Sequence, residues 1–252
     1  MSCAETFTKW YANSEDLRQA AAHHAWLSEH AHPLRQPPIV AVHPDRIDFT
    51  FLHGRHASIM DLGVVAALLG RAHVSAWTSD LHQARLTAPH ALPGGRVLAD
   101  FVSPRVAALR RRQLAGLATE RQVEAVQPLF APASDEPVAF YKDTNPRNVL
   151  ITPAGEPVMV DIDDVTLAPF GYDLAKLVVT LAMTYGAIPA DCVTTALAAY
   201  NSPLLTRGLR PVSENRLLDY AELHHLLTRP YLGMGGYRHP WPTVRSTLEK
   251  LR

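Results

Sequence analysis

Two hydrophobic periods alternate along the chain. Leu17, Ala20, Ala21, His24 and Leu27 recur at helical spacing, and Pro33 ends that run. Ser14 followed by Glu15 and Asp16 suits the helix start, because a hydroxyl accepts a first-turn N–H and acids favour the positive end of the helix dipole. Residues 39–42 and 47–52 read as strands. Ile47, Phe49 and Phe51 alternate with Asp48 and Thr50, and His43-Pro44-Asp45-Arg46 supplies the turn of a hairpin. Ser58 and Asp61 open a second helix as a near capping box, with Leu62, Val65, Ala66, Leu69 and His73 on its apolar face. Residues 76–137 give a broken pattern: 106–126 is helical but interrupted, and Pro93-Gly94-Gly95, Pro104 and Pro128 punctuate the region. After residue 165 the period is helical again, over 172–185, 190–200 and 213–228.

Composition narrows the class. A chain of 252 residues with 47% hydrophobic and 19% charged residues can bury a substantial core. Lys plus Arg and Asp plus Glu are both 24, so the formal charge is zero and a general nucleic-acid binder is a poor reading. Arg110-Arg111-Arg112 lacks interleaved aromatics and reads as a solvated helix face. Cys3 and Cys192 are too few for a disulfide framework, and neither has metal spacing. The first thirty residues show no apolar signal core, and the apolar run at 177–183 is too short to span a bilayer. The expectation is a cytoplasmic protein without a membrane or nucleic-acid partner. Its oligomeric state is not legible. The close histidine pairs His23-His24, His30-x-His32 and His224-His225 lack a third ligand at metal spacing and read as packing or surface residues.

Candidate chemistry concentrates in residues 141–164. Residues 149–151 and 158–162 flank Thr152-Pro-Ala-Gly-Glu156 and read as an antiparallel hairpin. If Ile151 pairs with Val158, Asn148 falls opposite Asp161, close enough for an amide oxygen and a carboxylate to hold one hard cation. Asp143 lies in the loop entering the hairpin, where Pro146 forbids ladder pairing. A carboxylate to orient a hydroxyl, with an amide and a second carboxylate on Mg2+, is what phosphoryl transfer requires. Asp163 adds a second possible metal contact on the face of Asp161, whereas Asp164 points the other way.

Asp143-Thr-Asn-Pro-Arg-Asn148, Val160-Asp-Ile-Asp-Asp164 and Tyr172-Asp-Leu-Ala175 together resemble the catalytic loop, metal-binding segment and following helix of the aminoglycoside phosphotransferase and choline kinase group. The resemblance implies an α+β, protein-kinase-like two-lobe fold: a reduced N-terminal nucleotide lobe over residues 1–53, and a mostly helical catalytic and acceptor-binding lobe over 54–252. It implies Asp143 as the catalytic base, Asn148 and Asp161 as Mg2+ ligands, and Asp173 as a buried support of the loop. Phe7-Thr-Lys-Trp10 resembles the strand whose lysine, here Lys9, binds nucleotide phosphates. The implied activity is an ATP- and Mg2+-dependent transfer of the γ-phosphoryl group to a small-molecule hydroxyl, with antibiotics among the acceptors.

The chain also departs from that pattern. Only eight residues precede Lys9 and the first glycine is Gly54, so no phosphate-covering Gly-rich loop is visible. Ala20-Ala21-Ala22 stands where a glutamate would pair with the lysine, and Tyr141 replaces the family histidine. A truncated start, a reduced lobe and lost nucleotide handling all fit, and the last makes a pseudokinase-like binding module the alternative function. Residues 190–252 hold five acids against eight bases, which disfavours a polycationic acceptor over a peptide or macrolide drug or a metabolite. Tyr220, Tyr231, Tyr237 and Trp241 are candidates for an aromatic wall, with core packing expected for at least half of them. Gly233-Met-Gly-Gly236 reads as a turn near the acceptor side.

Overall fold

The computed structural model describes residues 5–133, 135–245 and 248. Cys3, and Glu249, Lys250 and Arg252 from the charge count, lie outside them. The chain begins with a three-stranded antiparallel sheet of order β1-β3-β2, formed by β1 (Thr6–Trp10), β2 (Ile39–Val42) and β3 (Arg46–Thr50), with α1 (Ser14–His30) inserted after β1. The helix starts where the sequence placed it, but Asn13 is the cap: its side chain accepts from the Asp16 N–H at 2.9 Å. The alternation in β3 buries Ile47 and Phe49 against Leu17 and Ala20 of α1, a small apolar cluster of its own. Further along α1, Trp26 and Leu27 belong to the main core instead.

A linker through β4 (Arg55–His56) leads to α2 (Leu62–Ser79), preceded by the Ser58/Asp61 capping box read from the sequence. Residues 59–79 are long and apolar enough to cross a membrane by length and composition, yet most of that window is buried inside the protein, packed along α6 (Ala190–Thr206). The broken region resolves into the hairpin β5 (His90–Leu92) and β6 (Arg96–Leu98), then α3 (Val102–Leu114) and α4 (Glu120–Val126). β7 (Val138–Tyr141) pairs antiparallel with β10 (Thr166–Pro169), bracketing the hairpin of β8 (Val149–Ile151) and β9 (Pro157–Met159). α5 (Tyr172–Tyr185) is buried along almost its whole length, with α7 (Glu214–Thr228) and the short α8 (Trp241–Val244) against it. The result is an α+β fold of two lobes, a small sheet lobe and a large helical one.

The β8–β9 register differs by one residue from the sequence reading. Val149 faces Met159 and Ile151 faces Pro157, so Asn148 is opposite Val160 and not Asp161. The loop sets this: Thr152 pairs with Glu156 around three residues, and Gly155 takes φ +79°, the left-handed conformation that closes a three-residue hairpin. Pairing stops after Val160, because Asp161 itself has φ +57°. Residues 160–162 are therefore not strand, and the alternation argument for Asp163 and Asp164 does not apply there.

Several histidines are buried in the large lobe. Tyr200 Oη lies 2.7 Å from His73 Nδ1 and accepts the Gly171 N–H at 2.8 Å. Burial holds His73 down at about 3 and His225 at about 4, and puts His224 well below its ordinary value. A histidine that stays neutral when folded but charges when unfolded costs nothing above its unfolded pKa of 6.5; below it, each removes about 1.4 kcal/mol per pH unit. The melting temperature is expected to fall steadily from pH 6.5 toward pH 4.5. Equal melting temperatures at pH 7 and pH 5 would contradict neutral burial of these rings.

Candidate active site

The loop between β7 and β8 is folded around Asp143, whose φ of +58° is a conformation a non-glycine residue keeps only when its surroundings hold it. They do so from both sides. The Asp173 carboxylate, fully buried in the first turn of α5, accepts the N–H groups of Lys142 at 3.3 Å and Thr144 at 2.9 Å. Asp143 Oδ1 accepts from the Tyr141 hydroxyl at 2.7 Å and pairs with Lys176 Nζ at 3.1 Å, while Oδ2 takes only a long bond from Asn145 Nδ2 at 3.3 Å. One carboxylate oxygen is thus committed to the protein, and the other keeps only that long bond on a side chain 40% exposed. Burial pushes the Asp143 carboxyl up, but the Lys176 ammonium and the Tyr141 hydroxyl outweigh it and pull it down to about 2. Asp143 is ionised throughout the physiological range.

Asn148 Nδ2 donates to the Asp143 carbonyl at 2.9 Å, which leaves its Oδ1 for an external partner. The Asn148 carbonyl accepts the Val160 N–H at 2.9 Å, and Lys142 Nζ, wholly buried, donates to the Val160 carbonyl at 3.0 Å. These two bonds tie the loop to the acidic segment. Asp161 has a side chain 57% exposed, against 31% for Asp163. Lys9 reaches over from β1 and pairs with both, at 2.6 Å for Asp163. Burial works to lower the Lys9 pKa and the two carboxylates raise it above its ordinary value. The second Asp163 oxygen accepts from Tyr11 at 3.1 Å, and the His23 ring of α1 bonds the Asp163 carbonyl.

Behind Lys9 lies a cavity of about 390 Å³ between the small sheet and the β8–β9 hairpin. Phe7, Phe49, Leu150 and Ile162 give it apolar walls, Thr50, Phe51 and Leu52 form the linker side, and Lys9, Asp161 and Asp163 stand at one end. That arrangement suits a flat apolar group continued by an anionic chain.

Of the five residues singled out from the motifs, Lys9, Asp161 and Asp163 stand at the end of this cavity, while Asp143 and Asn148 lie in the adjoining loop, which is tied to the acidic segment through Val160. Lys9 does not pair with an acid of α1. Its partners come from the acidic segment, and His23 supplies the contact between α1 and that segment. Sequence reasoning missed Lys176, Lys142, Tyr11, His23 and Arg147. Lys176 had a signal, since it directly follows Tyr172-Asp-Leu-Ala175 and falls one helical turn after Tyr172 and Asp173. Of the four candidate wall aromatics, Tyr220, Tyr237 and Trp241 are buried and Tyr231 is half exposed. Among the described residues no three His, Cys, Asp or Glu side chains form a metal cluster. A cation held here would use the Asn148 amide oxygen and Asp161 with oxygens from outside the protein, a hard donor set that fits Mg2+.

A family model described as the phosphotransferase enzyme family matches residues 12–212. Among curated proteins nothing matches the chain. Of solved structures, an aminoglycoside-3'-phosphotransferase of type VIII superposes with a TM-score of 0.58 at 21% identity, covering 88% of this chain and 84% of its own. Amicoumacin kinase hAmiN, in complex with AMP-PNP, Ca2+ and Ami, gives 0.58 at 14% identity, covering 100% of this chain and 86% of its own. Choline kinase LicA from Streptococcus pneumoniae gives 0.58 at 14%, covering 100% and 87%. These likenesses carry the protein-kinase-like fold, and the family match spans the loop, the acidic segment and the helix just described. The chain belongs to the phosphotransferase enzyme family.

Proposed function

We propose that the protein transfers the γ-phosphoryl group of Mg·ATP to a hydroxyl of a small molecule. The observation that carries this reading is the pinning of Asp143: one oxygen is locked by Tyr141 and Lys176, and the other is held only by a long bond from Asn145. In this assignment the lobe ending near residue 53 and the larger lobe hold the nucleotide between them. Its base sits among Phe7, Phe49, Leu150 and Ile162, and Lys9 turns from the acids to the phosphates. Asn148 and Asp161 hold the cation, which when bound neutralises phosphate charge. Asp163 keeps Lys9, Tyr11 and His23 together and stands as a second contact to the cation. Asp143 Oδ2 accepts the hydrogen bond of the acceptor hydroxyl and orients its oxygen in line with the γ-phosphorus. As the new O–P bond forms, the bond to the β,γ-bridging oxygen breaks with its electron pair leaving on ADP, and the hydroxyl proton passes by way of Asp143 to solvent. ATP as donor fits a cytoplasmic enzyme. The antibiotic kinases among its structural neighbours make antibiotics one acceptor class to screen.

A second reading, a binding module without turnover, draws on the Lys9 pairs, which engage the same acids a cation needs. One titration separates the two. A ligand that binds only the folded state raises apparent stability by about 2.7 kcal/mol at one hundred times its Kd. ATP with Mg2+ is expected to raise the melting temperature more than ATP alone, and Asp161→Ala to abolish the Mg2+-dependent part. No shift at millimolar ATP would remove the nucleotide site and favour the binding module.

A further inference from the structure

The side of Asp143 away from the nucleotide cavity is built around a cation. Arg147 lies in the short 3-10 turn Pro146–Asn148 of the Asp143 loop. Its backbone N–H is fixed by Asn145 Oδ1 at 3.1 Å, and the same Asn145 side chain bonds Asp143 Oδ2. The placements of Arg147 and of the reacting carboxylate are therefore linked through one residue. The Arg147 side chain is exposed at its end, yet it is seated: its guanidinium lies 5.3 Å from the centre of the Tyr237 ring. It also presses against Gly235, where a Cβ would come within 2.2 Å of Nη1 and Gly235 itself takes φ +54°.

The surrounding loop is held in place. Gly233 N–H bonds the Tyr237 carbonyl at 2.8 Å, Tyr237 N–H bonds Met234 at 3.1 Å, and the N–H groups of Arg238 and His239 both reach the Met183 carbonyl of α5. Its charge is one-sided: residues 229–245 contain Arg229, Arg238 and Arg245 and no acid. Arg245 is neutralised by Glu222. Among the described residues no carboxylate pairs with Arg147, and Asp143, four residues before it in the same loop, is matched by Lys176. Exposed Tyr231, Leu232 and Met234 add an apolar rim.

A guanidinium stacked on an aromatic ring and left without an acid keeps its planar donor fork for a carboxylate or phosphate, and it repels cationic ligands. We propose that Arg147 sets acceptor specificity and that the acceptor carries an anionic group, carboxylate or phosphate, near the hydroxyl that receives the phosphoryl group. This rests on the phosphotransferase reading above. It separates this chain from a polycation-modifying kinase.

The test measures ADP formation from Mg·ATP with gluconate, glycerol 3-phosphate, glucose, choline or kanamycin as acceptor. Gluconate or glycerol 3-phosphate is expected to raise the rate above that with water alone, and whichever does so distinguishes carboxylate from phosphate. For that compound Arg147→Gln is expected to raise KM by about 10- to 100-fold, the equivalent of one charge-assisted hydrogen-bonding group, with a smaller change in kcat. Arg147→Lys, which keeps the charge without the fork, is expected to fall between. Stimulation only by choline, kanamycin or glucose, stimulation by no compound, or an unchanged KM in Arg147→Gln overturns the inference. Failure of the phosphotransferase reading has a different signature, the absence of any Mg2+-dependent ATP shift in the unfolding titration.

Discussion

Asp143→Asn is expected to lower kcat by about 10²- to 10⁴-fold, the range for loss of a positioned proton acceptor, while ATP still binds. The substitution keeps the shape of the side chain and changes what it offers. An amide in place of the carboxylate removes the negative oxygen from the acceptor hydroxyl and leaves Lys176, a buried ammonium, without its ionic partner. Some loss of stability should accompany the loss of rate, because a buried cation deprived of its anion is costly. The two effects are separable: ADP formation at saturating ATP reports the first, and thermal unfolding with and without Mg·ATP reports the second. A variant within tenfold of the wild-type rate, with the ATP shift intact, would take Asp143 out of the reaction.

Asp173→Ala should act mainly on the fold. The carboxylate is wholly buried and accepts two backbone N–H groups that bracket Asp143, so its removal leaves both without a partner. At about 1–3 kcal/mol for each unsatisfied buried group the cost is about 2–6 kcal/mol. For a chain of this length each kcal/mol lowers the melting temperature by about 2–4 °C, so a drop of several degrees or more is expected. Asp173→Asn keeps one good acceptor oxygen and should lose less. Activity should fall in parallel, since the strained backbone of Asp143 is held by those bonds. A melting temperature within one degree of wild type would contradict this account.

How much of this was legible depended on the range of the interaction involved. Local signals served well: the Ser58/Asp61 box, the apolar face of α2 and the limits of α5 all stand in neighbouring residues. The pairing of β7 with β10 did not, because two four-residue strands separated by a hairpin carry too little pattern to announce each other. The β8–β9 register was misread by one residue because a four-residue and a three-residue loop are both available to Thr152-Pro-Ala-Gly-Glu156, and only the conformation of Gly155 decides. The candidate site was easier to mark in the sequence than the sheet around it, since Asp143, Asn148 and Asp161 form spaced motifs. The side chains that tune it, Lys176 beneath Asp143 and Tyr11 and His23 around Asp163, are distant in sequence and become partners only in the folded chain. Arg147 was visible inside the motif, but the Tyr237 ring and the glycine that seat it come from nearly ninety residues later.

One helix belongs to two interiors. The first half of α1 buries Leu17 and Ala20 against the small sheet, and the second half buries Trp26 and Leu27 in the large lobe, where the Trp26 indole also donates to Asp80 at 2.7 Å. Four buried apolar residues are far too few to fold a unit by themselves. The order of the small sheet is therefore inherited along the helix axis, from the end packed in the large lobe. Hydrogen exchange should grade accordingly, with amides around Leu27 protected nearly as well as those of α5 and protection decaying toward Leu17 and the sheet.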